Sequence, residues 1–256
     1  MTKEILLVGE SWTSTATHFK GFDLFNSTTY HLGAEPFVRD IEAEGDFKVT
    51  YMKAHEAAEQ FPFDRAGLDK YAAVILSDIG ANTLLLPAKV WLEGKPAPNR
   101  LKLLRDWTRD GGGLMMVGGY LTFQGIDGRA RWHRTPVEEA LPVTCLPTDD
   151  RLEIPEGFAA QITQPDHPVL EGITGDWPVL LGANEIRADA GADVIATLPA
   201  DEGGHPLLVT GTFGKGRTLA WASDVGPHWV PGDFIAWEGS GKLWRNCMRW
   251  LTDPQD

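Results

Sequence analysis

The stretch that most constrains this chain is residues 111–125, GGGLMMVGGYLTFQG. Leu114 to Val117 is a short apolar run without polar alternation, which suits a strand covered on both faces. Gly118 and Gly119 follow, and glycine permits the tight, closely packed backbone that lifts the next side chain into a cleft. That side chain is Tyr120. The layout is that of a nucleophile elbow with a phenol in the nucleophile's place. A phenol, with a reference pKa of about 10, is a poor nucleophile unless strongly activated.

The first half reads as parallel α/β. Residues 5–8 form a short buried strand, 34–44 a helix, 47–52 a second strand and 72–77 a third. Asn99 caps a helix with Leu103, Leu104 and Trp107 on its apolar face, and the glycines at 111–113 end it. Strands joined through helices imply right-handed crossovers and ligands at the carboxyl ends of the strands. Three such ends are polar: Gly9-Glu10-Ser11-Trp12, Ser77-Asp78 and Gly118-Gly119-Tyr120. These ends nominate Glu10, Ser11, Trp12, Asp78 and Gly119 as binding residues. Gln124 joins them, either as a donor to an oxyanion or as a brace for the elbow backbone. Residues 13–30 read as a polar loop too long for a simple connection, a lid or an assembly arm that offers His18 as a ligand contact.

The second half is less regular. Residues 131–141 look helical, 143–146 like an edge strand, and 149–157 like a hinge between halves. Residues 194–198, 206–209 and 217–221 are short apolar runs separated by glycine-rich turns, an antiparallel meander added to the sheet. A last helix is expected from near Ser240, with Leu243, Trp244, Cys247, Met248 and Leu251 at helical spacing. With 256 residues, 43% of them hydrophobic, one compact domain over 1–256 is expected.

Composition excludes several functions. A net charge of −13 with no basic run disfavours nucleic acid. No apolar run approaches the roughly 20 residues of a membrane span, and residues 5–8 are too short for a signal peptide core, so a cytoplasmic protein is expected. Cys145 and Cys247 stand far apart and are expected to be reduced and structural. No metal-binding spacing exists, and an ion site would have to assemble from distant residues such as His18, Asp224 and His228, so neither metal nor cofactor is expected. Residues 211–218 lack the spacing of a phosphate loop and read as a hairpin turn. The ten tryptophans, several beside turns, suit core packing, pocket walls or subunit contacts, and a homo-oligomer is a candidate state.

Gly118-Gly119-Tyr120-Leu121-Thr122-Phe123-Gln124 resembles the Gly-x-Cys-x-Gly elbow of class I glutamine amidotransferases. Tyr120 stands at the cysteine, Thr122 at the second glycine and Phe123 at the usual histidine. Gly9-Glu10-Ser11-Trp12, residues 167–173 (HPVLEGI), Gly214-Lys215-Gly216-Arg217 and residues 223–229 (SDVGPHW) are similar to a glutamine amidotransferase-like family related to the trehalose-utilisation (ThuA-like) proteins. The resemblance implies a flavodoxin-like three-layer α/β sandwich, mainly parallel with an antiparallel extension, and a late histidine in the region of Asp224 and His228. Without the cysteine, glutaminase chemistry is not expected. In the enzymatic alternative Tyr120 is an acid or oxyanion donor, His228 exchanges a proton with Asp224 orienting it, and Glu10 holds a polar group of a small metabolite. In the other, the elbow is a relic that binds a ligand or forms an oligomer contact.

Overall fold

The computed structural model describes residues 2–253. Strand β1 (Lys3–Gly9) leads into an antiparallel hairpin of β2 (Ser11–Lys20) and β3 (Asp23–Leu32), then α1 (Glu35–Glu42) and β4 (Phe47–Met52). Helices α2 (Ala54–Gln60) and α3 (Arg65–Leu68) precede β5 (Ala73–Ser77). Helices α4 (Ala81–Leu85), α5 (Ala88–Trp91) and α6 (Arg100–Arg109) precede β6 (Gly113–Val117). The second half runs through β7 (Val143–Cys145), β8 (Arg151–Phe158), β9 (Gln161–Ile162), β10 (Leu180–Asn184), β11 (Ile186–Ala188), β12 (Asp193–Thr197), β13 (Pro206–Phe213) and β14 (Gly216–Trp221). It ends in α7 (Gly232–Ala236) and α8 (Glu238–Thr252).

The main sheet has eight strands in the order β4-β1-β5-β6-β14-β13-β12-β9. The first five are mutually parallel and the last three are antiparallel to their neighbours. Every residue of β5 and β6 is buried, the pattern of central strands covered by helices on both faces. Right-handed crossovers put α1 on one face and the helices from α2 to α6 on the other, giving the three layers of a flavodoxin-like α/β fold. Helix α8 joins α1, with Phe37 edge-on to Trp244, and its stripe Leu243, Trp244, Cys247, Met248 and Leu251 is buried as the spacing requires. Asn99 caps α6 by accepting from the amides of Leu101 and Lys102. The first residue of that helix, Arg100, is fully buried. Its guanidinium donates to the carbonyls of Leu84, Thr83, Ala57 and Phe61, joining α6 to the carbonyl-rich ends of α2 and α4.

Four expectations are corrected. Residues 13–30 are not a loop: β2 and β3 pair over ten residues from Ser11↔Leu32 to Lys20↔Asp23. Residues 131–141 form no α-helix, only a 3₁₀ turn at Glu138–Ala140. Arg131 and Arg134 adopt positive φ, and Glu138 accepts from the Cys145 amide instead of facing solvent. Residues 143–145 pair with β11 in a separate ribbon and do not edge the main sheet. The expected hinge at 149–157 is strand β8, paired with β10, with Asp150 buried against the elbow.

Close packing where β6 leaves the sheet positions everything beyond it. A Cβ on Gly118 would lie 2.1 Å from the Ala222 carbonyl oxygen and 2.7 Å from Asn184 Oδ1. Gly118→Ala must push the ends of β6 and β14 apart, and is expected to destabilise the fold by about 2 kcal/mol or more. Chemical denaturation of the two proteins measures this, and an unchanged midpoint would refute the steric account.

Candidate functional site

Beyond the carboxyl ends of β1, β5, β6 and β14 lies a cavity of about 500 Å³. Glu10, Asp78 and Asp224 bring carboxylates to it. Trp12, Tyr120 and His228 supply rings, Leu121, Ile126 and Pro227 apolar surface, and Arg129 a cation. The ends of β1 and β5 contribute the residue just past their pairing, and those of β6 and β14 the third residue beyond it, Tyr120 and Asp224. Glu10 and Asp78 follow the last paired residues of β1 and β5, and both take positive φ, 46° and 43°. A glutamate in this left-handed region is strained, a condition that clusters at functional sites.

Glu10 is only 2% exposed. Its backbone is locked by the Glu10 amide on the Ser77 carbonyl (2.7 Å) and by the Tyr51 hydroxyl on the Glu10 carbonyl (2.5 Å). Its carboxylate accepts from Ser77 Oγ at 2.6 Å. A Cβ at Gly33 would sit 2.4 Å from Glu10 Oε1, so the Glu10 carboxyl occupies the space that a side chain there would need. Burial, followed by the charges of Asp224 and Asp78, pushes the Glu10 carboxyl well above the ordinary carboxylate range, against the opposing Ser77 hydrogen bond.

Asp78 Oδ1 accepts from the Leu121 amide at 2.7 Å, and the Tyr120 amide also faces the carboxylate. Burial, with the charge of Asp224 next, raises its pKa to about 6. In a nucleophile elbow the amide following the nucleophile stabilises the oxyanion. Here the corresponding amide, that of Leu121, is engaged by a carboxylate of the protein itself. Asp224 Oδ1 accepts from the amides of Val225 and Gly226, and Oδ2 lies 3.7 Å from His228 Nδ1. The His228 ring stacks on Trp229 and meets Tyr120 edge-on, with centroids 4.1 Å apart.

Tyr120 walls the cavity with its ring, and its hydroxyl donates to Glu153 Oε1 at 3.0 Å. Trp229 Nε1 donates to the other oxygen of Glu153, and the Arg151 guanidinium lies 4.7 Å from the centre of the phenol ring. Burial and then Glu153 raise the phenol pKa. The strained backbone falls on Gly119, φ 146°, while Tyr120 keeps a negative φ and no α-helix follows it. The elbow is thus a strand and a glycine turn without the helix.

Six of the ten residues nominated from sequence line the cavity: Glu10, Trp12, Asp78, Tyr120, Asp224 and His228. Ser11, Gly119 and Gln124 brace it from behind. Ser11 Oγ accepts from the first amide of α2, the Gly119 amide donates to Asn184 Oδ1, and Gln124 Nε2 donates to the Gly128 carbonyl. His18 is out on the hairpin, stacked on Phe25 and bonded to Ser27. Arg129 and Ile126 lie at a 3₁₀ turn and Glu153 on β8, where no local sequence pattern marks a residue of the cavity. Among the described residues no cluster of His, Cys, Asp and Glu has metal-binding geometry. A second cavity, of about 510 Å³, lies near the amino-terminal end of β1, and its cations are already paired: Arg249 with Glu44 and Asp46, Arg217 with Asp253, and Lys3 with the Thr252 carbonyl.

The family described as "Putative glutamine amidotransferase" matches residues 4–253. A cytoplasmic protein of Salmonella typhimurium is 37% identical, with a TM-score of 0.92 over 98% of this chain and 99% of its own. A second cytoplasmic protein, from Salmonella typhimurium LT2, is 39% identical, with a TM-score of 0.91 over 97% of this chain and 99% of its own. A ThuA-like protein from Parabacteroides merdae, 13% identical, shares the fold with a TM-score of 0.60 over 99% of this chain and 91% of its own. No curated protein matches the sequence. Among the described residues no helix is long and apolar enough to cross a membrane.

The raised pKa of Asp78 has a stability consequence with a definite sign. Between the ordinary 3.8 and about 6 the folded state holds a proton that the unfolded state has lost, so stability falls as pH rises through that window. Above it the full penalty of an ionised Asp78 applies. Asp78→Asn keeps the carbonyl acceptor and tolerates positive φ. It is expected to be more stable than the parent by about 1 kcal/mol at about pH 8, the gain disappearing below about pH 4. Denaturation curves across that range decide it, and a gain independent of pH would mean that Asp78 does not titrate in the window.

Proposed function

The chain belongs to the glutamine amidotransferase-like family, and from that premise we propose that it binds a small polar metabolite at the Glu10–Asp78–Asp224–His228 crevice and performs acid–base chemistry on it, without glutaminase activity. One observation carries this: two carboxyls of raised pKa and a carboxylate-paired histidine converge on a single cavity at the carboxyl ends of parallel strands. Burial and the neighbouring carboxylates favour the protonated form of Glu10, which gives it the character of a general acid. His228, with Nδ1 3.7 Å from Asp224 Oδ2, is the matching base. A sugar or an amino-acid derivative fits the lining, with hydroxyl or amino groups on the carboxylates and a carbon face on Trp12 and Tyr120. The absent cysteine and the Asp78 carboxylate on the Leu121 amide both argue against acyl transfer. The two Salmonella relatives, described as cytoplasmic, support the same location here.

The non-enzymatic alternative, a ligand-binding relic, is favoured by one feature, the Tyr120 hydroxyl committed to Glu153. In either case Tyr120→Phe is expected to retain ligand and to cost about 1 kcal/mol of stability. Loss of turnover in that variant would assign the proton to the phenol.

A thermal-shift screen against sugars, sugar phosphates, amino acids and amines, followed by turnover assays on any hit, tests the proposal. Concentration-dependent stabilisation is expected in the parent and not in Glu10→Gln/His228→Ala. A hit that survives the double substitution would sink the crevice assignment. A hit bound without conversion would sink the catalytic part alone, and ammonia release from glutamine would overturn the loss of glutaminase activity.

A further inference from the structure

The β2–β3 hairpin leaves the body of the protein as an arm, and the geometry points to a second copy of this chain as its partner. Apart from Ser11 and His31, every residue of the two strands is exposed. Ten unbroken residue pairs make it roughly 34 Å long at the usual rise per residue. A two-stranded hairpin with both faces in water is marginal alone, and bulky apolar side chains stand out along it: Phe19 is 75% exposed and Phe22 fully so. Exposed strand edges that are meant to stay single are blunted by lysines, prolines or bulges. This arm has one lysine, no proline and no break in register.

Cross-strand pairing sorts the arm into two faces. One carries Thr13, Thr15, Thr17, Phe19, Leu24 and Tyr30 and contains no charged residue. The other holds Lys20 and Asp23 at the tip and the stacked pairs Trp12–His31 and His18–Phe25. The arm is therefore neutral on a chain of net charge −13. Two such chains carry a net repulsion, which is least where uncharged surface meets uncharged surface. A face without charge offers nothing to select an acidic or a basic partner, whereas a two-fold related copy presents the same threonine and aromatic surface to itself. One face covers on the order of 350 Å², so two arms packed face to face bury roughly 700 Å² between them, and the rest of a standard interface of ~800 Å² per partner has to come from the surfaces that the arms bring together.

This inference does not depend on the proposed chemistry, and sedimentation velocity at micromolar concentration tests it. The parent chain is expected at twice the chain mass. Thr15→Glu/Leu24→Glu sets acidic groups against each other across the two-fold axis and is expected to weaken association by roughly a hundredfold, with an unchanged far-ultraviolet circular dichroism spectrum. A second variant replaces residues 14–29 by Asn-Gly, a two-residue turn joining the paired Thr13 and Tyr30, and is expected to be monomeric. A monomeric parent overturns the inference and leaves the arm to a lid role or a different protein. An assembly that persists in the shortened variant overturns it equally, because the contact then lies elsewhere.

Discussion

The site depends on one buried side-chain amide. Asn184, at the end of β10 and fully buried, accepts the Gly119 amide on Oδ1 and donates Nδ2 to the Gly119 carbonyl and to Asp150. Asp150 in turn accepts the amides of Gln124 and Gly125. Two residues of the second half thus satisfy the exposed backbone of a turn that belongs to the first half. Each of these groups, left unpaired in the interior, would cost about 1–3 kcal/mol. The turn after β6 therefore has a single conformation only when β8 and β10 are docked, and the cavity exists only in the complete fold.

That arrangement also decides the chemistry open to the turn. An acyl-transfer elbow keeps its amides free for a developing oxyanion. Here Asn184 holds the amide of Gly119, and Asp78 holds that of Leu121. The donors are committed before any ligand arrives, and a carbonyl substrate would have to displace a carboxylate. The protein meanwhile tolerates three carboxylates around one cavity, two of them on residues at positive φ, arrangements that cost stability and contribute nothing to packing. Loss of a cysteine alone would have left an empty elbow. The observed site instead brings three carboxylates to the cavity, one of them on the Leu121 amide.

The parallel half was legible because its signals are local. The Phe47–Met52 strand, the Asn99 cap and the α8 stripe depend on residues within one or two turns of each other, and they appear with nearly the expected bounds. The strand-end rule also placed Glu10 and Asp78, since a polar residue after a buried strand has only the crevice to face. Failures came where the deciding partner is distant. Residues 131–141 carry helix-forming side chains, yet Glu138 is drawn to the Cys145 amide and two arginines turn to positive φ. The arm was misread because its threonines and serines look like loop residues when the cross-strand partner is unknown. Glu153 gave no signal at all, since its role arises from Tyr120 and Trp229 meeting it from other elements.

The arm and the crevice share their foundations. Trp12 belongs to both: it lies on β2, stacks on His31 of β3 and lines the cavity. Gly33, the residue after β3, donates its amide to the Glu10 carbonyl and leaves the space that the Glu10 carboxylate occupies. A rotation of the arm about its root must move Trp12 and strain the Gly33–Glu10 contact together. On the proposed assembly, contact of the arm with a second copy and occupation of the crevice by a ligand draw on one set of residues. By linkage any effect is reciprocal, since whatever free energy assembly contributes to ligand affinity, the ligand returns to assembly. The neutral arm on an acidic body would then serve two ends, giving copies of the chain a surface on which they can meet and setting the wall of the cavity when they do.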